Sequence, residues 1–75
     1  METEFLNLIK EAFEIEDRML DMADRFKEFD EWDSLTQLTL IAELDEKFGV
    51  VIKMDDFKNI TTLLDLYNEI LSRKA

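Results

Sequence analysis

The stretch that decides the fold runs Glu31-Trp32-Asp33-Ser34-Leu35-Thr36-Gln37-Leu38-Thr39-Leu40-Ile41-Ala42-Glu43-Leu44-Asp45-Glu46-Lys47-Phe48-Gly49. Ser34 and Gln37 fit the capping-box spacing, in which two side chains satisfy backbone N–H groups left unpaired at a helix start. That spacing predicts Ser34 as the N-cap. Leu35, Leu38, Ile41, Ala42, Leu44 and Phe48 follow at three- and four-residue steps, the period of one buried helical face. At about 100° per residue, Thr36, Thr39, Glu43, Glu46 and Lys47 gather on the opposite side. Gly49 ends the helix, because it enters the left-handed conformation without a Cβ penalty.

Working outward, Phe5, Leu8, Ile9, Ala12 and Phe13 repeat the helical period near the N-terminus. They predict a helix over residues 4–15, capped by Thr3 with Glu4 in its first turn. Toward the C-terminus, Thr61 is the expected cap of a helix with Leu63, Leu66, Tyr67 and Ile70 inside and Leu64 and Leu71 flanking. Arg73 and Lys74 at its end complement the helix dipole. Val50-Val51-Ile52 has strand composition but no partner run, and an unpaired strand strands its backbone polar groups. An extended connector burying Val50 and Ile52 is expected, with one helical turn at Asp55-Asp56-Phe57. Residues 17–33 are ambiguous. Met19, Met22, Ala23 and Phe26 keep a helical period that Phe29 extends, and propensity alone draws a helix over 18–29. The acids from Glu28 onward break that pattern and favour a connection.

Composition narrows the chemistry. The chain has 75 residues, 19 acidic and 9 basic side chains, a net charge of −10, no Cys, His or Pro, and one Gly. This length supports one domain, residues 1–75. A 47% hydrophobic content is too high for a disordered acidic tail. Without Cys or His there is no disulfide, thiolate-zinc site or histidine relay. The acidity disfavours phosphate backbones, so no nucleic-acid partner is expected. Apolar runs are four residues or fewer, against about 20 needed to cross a bilayer. No membrane insertion, no signal peptide and a cytoplasmic location are expected. Calcium loops fail as well. An EF-hand starting at Asp21 puts Ala23, Arg25 and Phe26 at its third, fifth and sixth positions, and one starting at Asp45 puts Lys47 third and Val50 sixth. No metal site and no catalytic residue is expected.

Asp33-Ser34-Leu35 at a helix start, then Leu38, Ile41, Ala42, Glu43-Leu44, Phe48-Gly49, Ile52 and later Ile60-Thr61-Thr62, forms an ordered set. It resembles the acyl carrier proteins and related phosphopantetheine-bearing carriers over essentially the whole chain, most closely at residues 31–52 and 60–70. The resemblance implies an all-α bundle of three main helices, a short fourth helical turn and a long first loop. It therefore favours loop with a short turn over 17–33, Phe26 pointing inward as an anchor.

The resemblance also implies roles. Ser34 would carry covalent 4′-phosphopantetheine, attached by a phosphopantetheinyl transferase. Asp33 would lie at the contact with that enzyme and its metal, and Leu35 beside the prosthetic group. Phe26, Leu44, Ile52, Phe57, Ile60 and Leu66 would surround an acyl cavity, each being equally a core residue. Glu31, Thr36, Thr39, Glu43, Asp45, Glu46, Asp55 and Asp56 would meet partners. Those partners are the transferase and loading or acyl-transfer enzymes with basic docking patches, met by a monomer that holds acyl or aminoacyl groups as thioesters. A helix N-terminus suits the phosphate, and a thiol arm supplies the nucleophile this chain lacks.

The chain departs from the fatty-acid type at Glu31, where Gly is common, and at Thr36 and Thr39, often acidic. Trp32-Asp33-Ser34-Leu35 looks more like stand-alone carriers of specialised pathways, such as amino-acyl, polyketide-like or surface-polymer systems. The alternative is a cofactor-free acidic interaction module of the same fold. Charge distribution bears on both: residues 28–46 hold 7 acids and no base. That acidity brackets Ser34, marking an expected docking face for basic partners.

Overall fold

The computed structural model describes residues 2–74. Three α-helices form, α1 (Glu2–Phe13), α2 (Ser34–Phe48) and α3 (Leu63–Lys74), with 3-10 turns at Phe26–Glu28 and Met54–Asn59. No strand occurs among the described residues. The expected all-α bundle, with its long first loop and extra helical turn, is the observed architecture. Its core is one cluster drawn from every element: Phe5, Ile9 and Phe13 of α1, Phe26 of the first turn, Leu40 and Leu44 of α2, and Leu63, Leu66 and Ile70 of α3. The radius of gyration, 11.2 Å, is about that of a close-packed chain of this length.

α1 starts at Glu2 and ends at Phe13, so Thr3 lies inside it rather than capping it, and the helix stops two residues early. The stop is a backbone event. Glu14 takes the left-handed conformation at φ 57°, and the Ile15 N–H reaches back to the Lys10 carbonyl at 2.9 Å. Ile15 then buries its side chain, the hydrophobic contact that accompanies such a terminus. α2 ends in the same way. Gly49 sits at φ 66° with its N–H on the Asp45 and Leu44 carbonyls, the Val50 N–H returns to Leu44 at 3.4 Å, and Val50 is buried. Gly49 was legible from its residue type; Glu14 was not.

Residues 14–33 form the loop, not the helix that propensity draws over 18–29. The Asp side chains there bind local backbone and displace helical bonding. The Ala23 N–H donates to the Asp21 carboxylate at 2.9 Å, and the Asp21 N–H to Asp24 at 2.9 Å. The loop is fixed at several points. The Leu63 and Leu64 N–H groups, unpaired at the start of α3, donate to the loop carbonyls of Asp24 and Met22 at 3.0 and 2.8 Å. Lys27 donates from Nζ to the Phe57 carbonyl at 2.6 Å.

The α3 cap is Thr62, one residue past the expected Thr61. Its hydroxyl accepts from the Asp65 N–H at 3.2 Å, while the Asp65 carboxylate accepts from the Thr61 and Thr62 N–H groups at 3.1 Å. Leu63, Leu66 and Ile70 are buried and Tyr67 half-buried, as the spacing predicts. The connector also follows expectation, with Val50 and Ile52 inside and Val51 exposed.

The inner face of α2 keeps only half of the predicted stripe, Ile41, Leu44 and Phe48, and adds Leu40. Leu40 and Leu44 are its buried residues, with Ile41 and Phe48 half-buried. Leu35, Leu38 and Ala42 face solvent. α2 carries too many apolar residues for one face, and three- and four-residue steps connect either stripe. Thr36, Thr39 and Glu43 are half-buried, and only Glu46 and Lys47 of the predicted polar side are exposed.

Phe26→Ala is expected to cost about 3–5 kcal/mol, most of the stability of a domain this small, read as loss of the urea unfolding transition. The two left-handed termini should respond oppositely. Glu14→Gly relieves a strained conformation and should stabilise by about 0.5–1 kcal/mol. At Gly49 no atom lies within 4 Å of an added Cβ, so Gly49→Ala should cost only the backbone penalty of about 1 kcal/mol. Equal effects of the two in chemical denaturation would refute this account.

Candidate functional site

The start of α2 is built by Asp33, not Ser34. Asp33 is extended at φ −150°, and its carboxylate accepts from the Thr36 N–H at 2.7 Å. The Asp33 carbonyl accepts from the Gln37 N–H at 2.9 Å. The predicted box of Ser34 and Gln37 therefore does not form. Either residue was a competent cap by type, and an ionised carboxylate makes the stronger, charge-assisted bond. Ser34 moves to the first helical position. It is exposed, and its hydroxyl makes no side-chain hydrogen bond among the described residues. The correction has a chemical consequence: the hydroxyl is free and lies at the positive end of a helix dipole.

Leu35 is 73% exposed and Leu38, one turn on from Ser34, is 52% exposed. Leu38, like Leu35 and Ala42, lies at the surface although its spacing predicts it inside. Thr36 gives its N–H to Asp33, and Thr39 turns its hydroxyl back to the Leu35 carbonyl at 2.9 Å.

The acidic candidates divide into tied and free. Glu31 pairs with Arg18 at 2.8 Å, and the Arg18 guanidinium lies 4.8 Å over the Phe29 ring. Asp56 accepts from the Lys53 N–H at 2.8 Å and pairs with Arg73 at 3.3 Å. Asp55 is exposed and approaches Lys58 at 3.6 Å. Asp45 and Glu46 are exposed. Glu43 is half-buried, with Oε2 enclosed and without a hydrogen-bond partner. No cluster of metal-ligating side chains occurs among the described residues.

Behind this helix start lies an aromatic group. The Trp32 ring centroid is 5.2 Å from Phe26, 5.5 Å from Phe57 and 5.7 Å from Phe13. Such centroid separations are those of favourable aromatic pairs. Phe26, Leu44, Ile52, Phe57, Ile60 and Leu66 are all buried within the common core. Trp32 belongs to this group, although in the sequence it stands only as part of the Trp-Asp-Ser-Leu motif. Its place next to Asp33 was the available signal.

Hydrogen bonding lowers three carboxylates. Asp33 is held below its ordinary value of 3.8, chiefly by the Thr36 N–H. Asp65 is lowered by the Thr62 and Thr61 N–H groups. Glu31 is lowered first by its own backbone N–H and then by Arg18. A depressed value in the folded state gives stability that is complete above the unfolded value and lost as pH falls through the folded one. Asn keeps the Asp33 cap acceptor without a charge. The urea midpoint of Asp33→Asn should therefore trail wild type at about pH 6 and converge with it toward about pH 3. A gap that does not change with pH would show that the charge of Asp33 contributes nothing.

No helix among the described residues is long and apolar enough to cross a membrane. No curated protein matches the sequence. A protein-family comparison does find a match, to the family described as the phosphopantetheine attachment site, over residues 3–70. That span holds α1 from its second residue, the whole of α2 and most of α3. The free serine at a helix start thus occurs in a chain that belongs to the phosphopantetheine attachment family, whose members bear 4′-phosphopantetheine on a serine.

Proposed function

We propose that this chain is a non-catalytic carrier holding acyl or aminoacyl groups on 4′-phosphopantetheine attached to Ser34. The observation that carries this reading is the unengaged, exposed Ser34 hydroxyl at the first position of α2, left free because Asp33 makes the cap. The sequence supports it independently. The chain has two serines, Ser34 and Ser72, and only Ser34 falls within the matched residues 3–70.

The residues present fit the group. The attachment oxygen stands clear of the core, and the Ser34 N–H lies at a helix N-terminus, where a phosphodiester is favoured. In the attachment reaction, Ser34 Oγ forms a bond to the phosphorus next to pantetheine in coenzyme A. The pyrophosphate P–O bond breaks, adenosine 3′,5′-bisphosphate leaves, and the hydroxyl proton is released. Once bound, the arm supplies a thiol that holds cargo as a thioester. Asp33 keeps the helix start ordered so that Ser34 is presented at a fixed place.

Family members work with a phosphopantetheinyl transferase and with acyl-handling enzymes. On this chain the proposed contact residues fall in two groups. Leu35 and Leu38 offer apolar surface beside Ser34, and Asp45 and Glu46 offer free negative charge farther along α2. Charges of that kind raise encounter rates with basic partners. Asp33, Glu31, Thr36, Thr39, Glu43, Asp55 and Asp56 complete the proposed face. Where Thr36 and Thr39 replace acids, a specialised pathway fits better than the housekeeping fatty-acid one.

Incubation with coenzyme A and a broad-specificity transferase should add the mass of one phosphopantetheine to the wild-type chain and to Ser72→Ala, and nothing to Ser34→Ala. An unmodified wild type, or a shift that persists in Ser34→Ala, would overturn the assignment.

A further inference from the structure

We propose that Trp32 closes the interior of this carrier to its cargo, and that the cargo is a short or polar acyl or aminoacyl group held outside the core. The inference rests on Ser34 as the attachment point. Trp32 is two residues before Ser34, half-buried, with its ring against Phe26 and Phe57 at 5.2 and 5.5 Å. Those two rings belong to the set that the family resemblance assigns to an acyl cavity. The other members, Leu44, Ile52, Ile60 and Leu66, are at most 4% exposed and lie in the same core cluster. The partly exposed indole therefore covers the rings that a chain entering from Ser34 would have to reach.

Entry requires the indole to leave, because close-packed interiors do not absorb added volume. Leaving breaks its ring contacts with Phe13, Phe26 and Phe57 together. The gain from burying an acyl chain grows with each methylene, whereas the cost of displacing the indole is paid once. Short chains cannot recover that cost, and polar groups gain nothing from an apolar interior. A different place is open to them. On the outer side of the same rings, Trp32, Phe57 and Met54 line a shallow groove with Gln37, Lys27 and Lys58 among its polar neighbours. Gln37 lies one helical turn from Ser34, so the groove begins beside the attachment point. An apolar floor with hydrogen-bonding groups at its edge suits a short polar cargo, and a long apolar chain lying there stays partly in water at a cost that rises with its length.

Acetyl- and octanoyl-pantetheine, loaded on Ser34 from the corresponding coenzyme A thioesters, give the test. Intact mass reports loading, hydroxylamine cleavage reports thioester exposure relative to the free coenzyme A thioester, and the single Trp reports the indole by fluorescence. A chain enclosed four-fifths of the time exposes its thioester one-fifth of the time, so enclosure reads as about fivefold slower cleavage. The two wild-type thioesters should cleave at equal relative rates with no red shift of the Trp emission. Trp32→Ala, or Trp32→Leu should the first variant not fold, should protect octanoyl about fivefold and leave acetyl unprotected. Octanoyl protection in wild type, a red shift of its Trp emission, or no protection in the folded variant would each overturn the gate. Failure to gain the loaded mass would instead overturn the Ser34 reading, and the gate with it.

Discussion

The burial of Phe26 is the constraint on which the rest of this structure depends. A connection of 20 residues between α1 and α2 carries a large conformational entropy cost, and this one has no Pro to restrict it. Phe26, fully buried, turns the loop through the core between Phe13 and Phe57, with ring separations of 6.4 and 6.1 Å. Once it is seated, the Met22 and Asp24 carbonyls stand over the start of α3 and accept its unpaired N–H groups. Lys27 reaches the Phe57 carbonyl from the same turn. Trp32 packs edge-to-face against the buried Phe26 ring at 5.2 Å, which fixes where α2 begins. The position of Ser34 is thus set by a side chain eight residues earlier.

At that start, two adjacent residues divide two tasks that one serine could not perform together. A cap must spend its side-chain oxygen on the helix backbone, and an attachment point must keep its oxygen free. Asp33 does the first and leaves Ser34 to do the second on the carrier reading. Glu31 and Arg18 brace the approach to the helix, and the carboxylates of Asp33 and Asp65 act as local acceptors for backbone N–H groups.

Features with one strong local cause were legible in the sequence. Gly49 is the only residue type at ease at φ 66°, and the Phe5–Phe13 and Leu63–Ile70 spacings each admit a single buried face. Where two residues competed for one role, the sequence alone could not rank them. Ser34 and Asp33 are both caps by type, as are Thr61 and Thr62, and the winner depends on where the backbone turns. The α2 stripe failed for a related reason. Leu35, Leu38, Leu40, Ile41, Ala42 and Leu44 cover more than one face, and only packing against the rest of the bundle selects Leu40 and Leu44. The 18–29 stretch failed on propensity because Asp21 and Asp24 bind backbone within their own turn, and it was read correctly only through the family resemblance. Ser34, Asp33 and Leu35 were found together as a motif; the exposure of Leu38 and the stacking of Trp32 were not, since both are properties of packing.

The surplus acidity first identified around Ser34 is sharpened by the same geometry. Of the acids in residues 28–46, Glu31 is held by Arg18, Asp33 by the backbone of α2 and Glu28 by Arg25 at 3.5 Å. Asp30, Asp45 and Glu46 are bound by nothing comparable and stand exposed, Asp30 ahead of Ser34 and the other two near the C-terminal end of α2. That is the end where a helix dipole favours bases. α1 and α3 obey the rule, with Glu2, Glu4 and Asp65 in their first turns and Lys10, Arg73 and Lys74 in their last. α2 obeys it at its start, where the Asp33 carboxylate caps the helix, but near its end sets Asp45 and Glu46 beside Lys47, the one base of its last turn. Local rules broken without a compensating contact mark places where a sequence serves something other than its own stability. On the carrier reading, α2 gives up dipole complementarity at its C-terminal end to keep free charge on the helix that presents Ser34. Long-range attraction then comes from its far end, and the apolar contact of Leu35 and Leu38 from its near end.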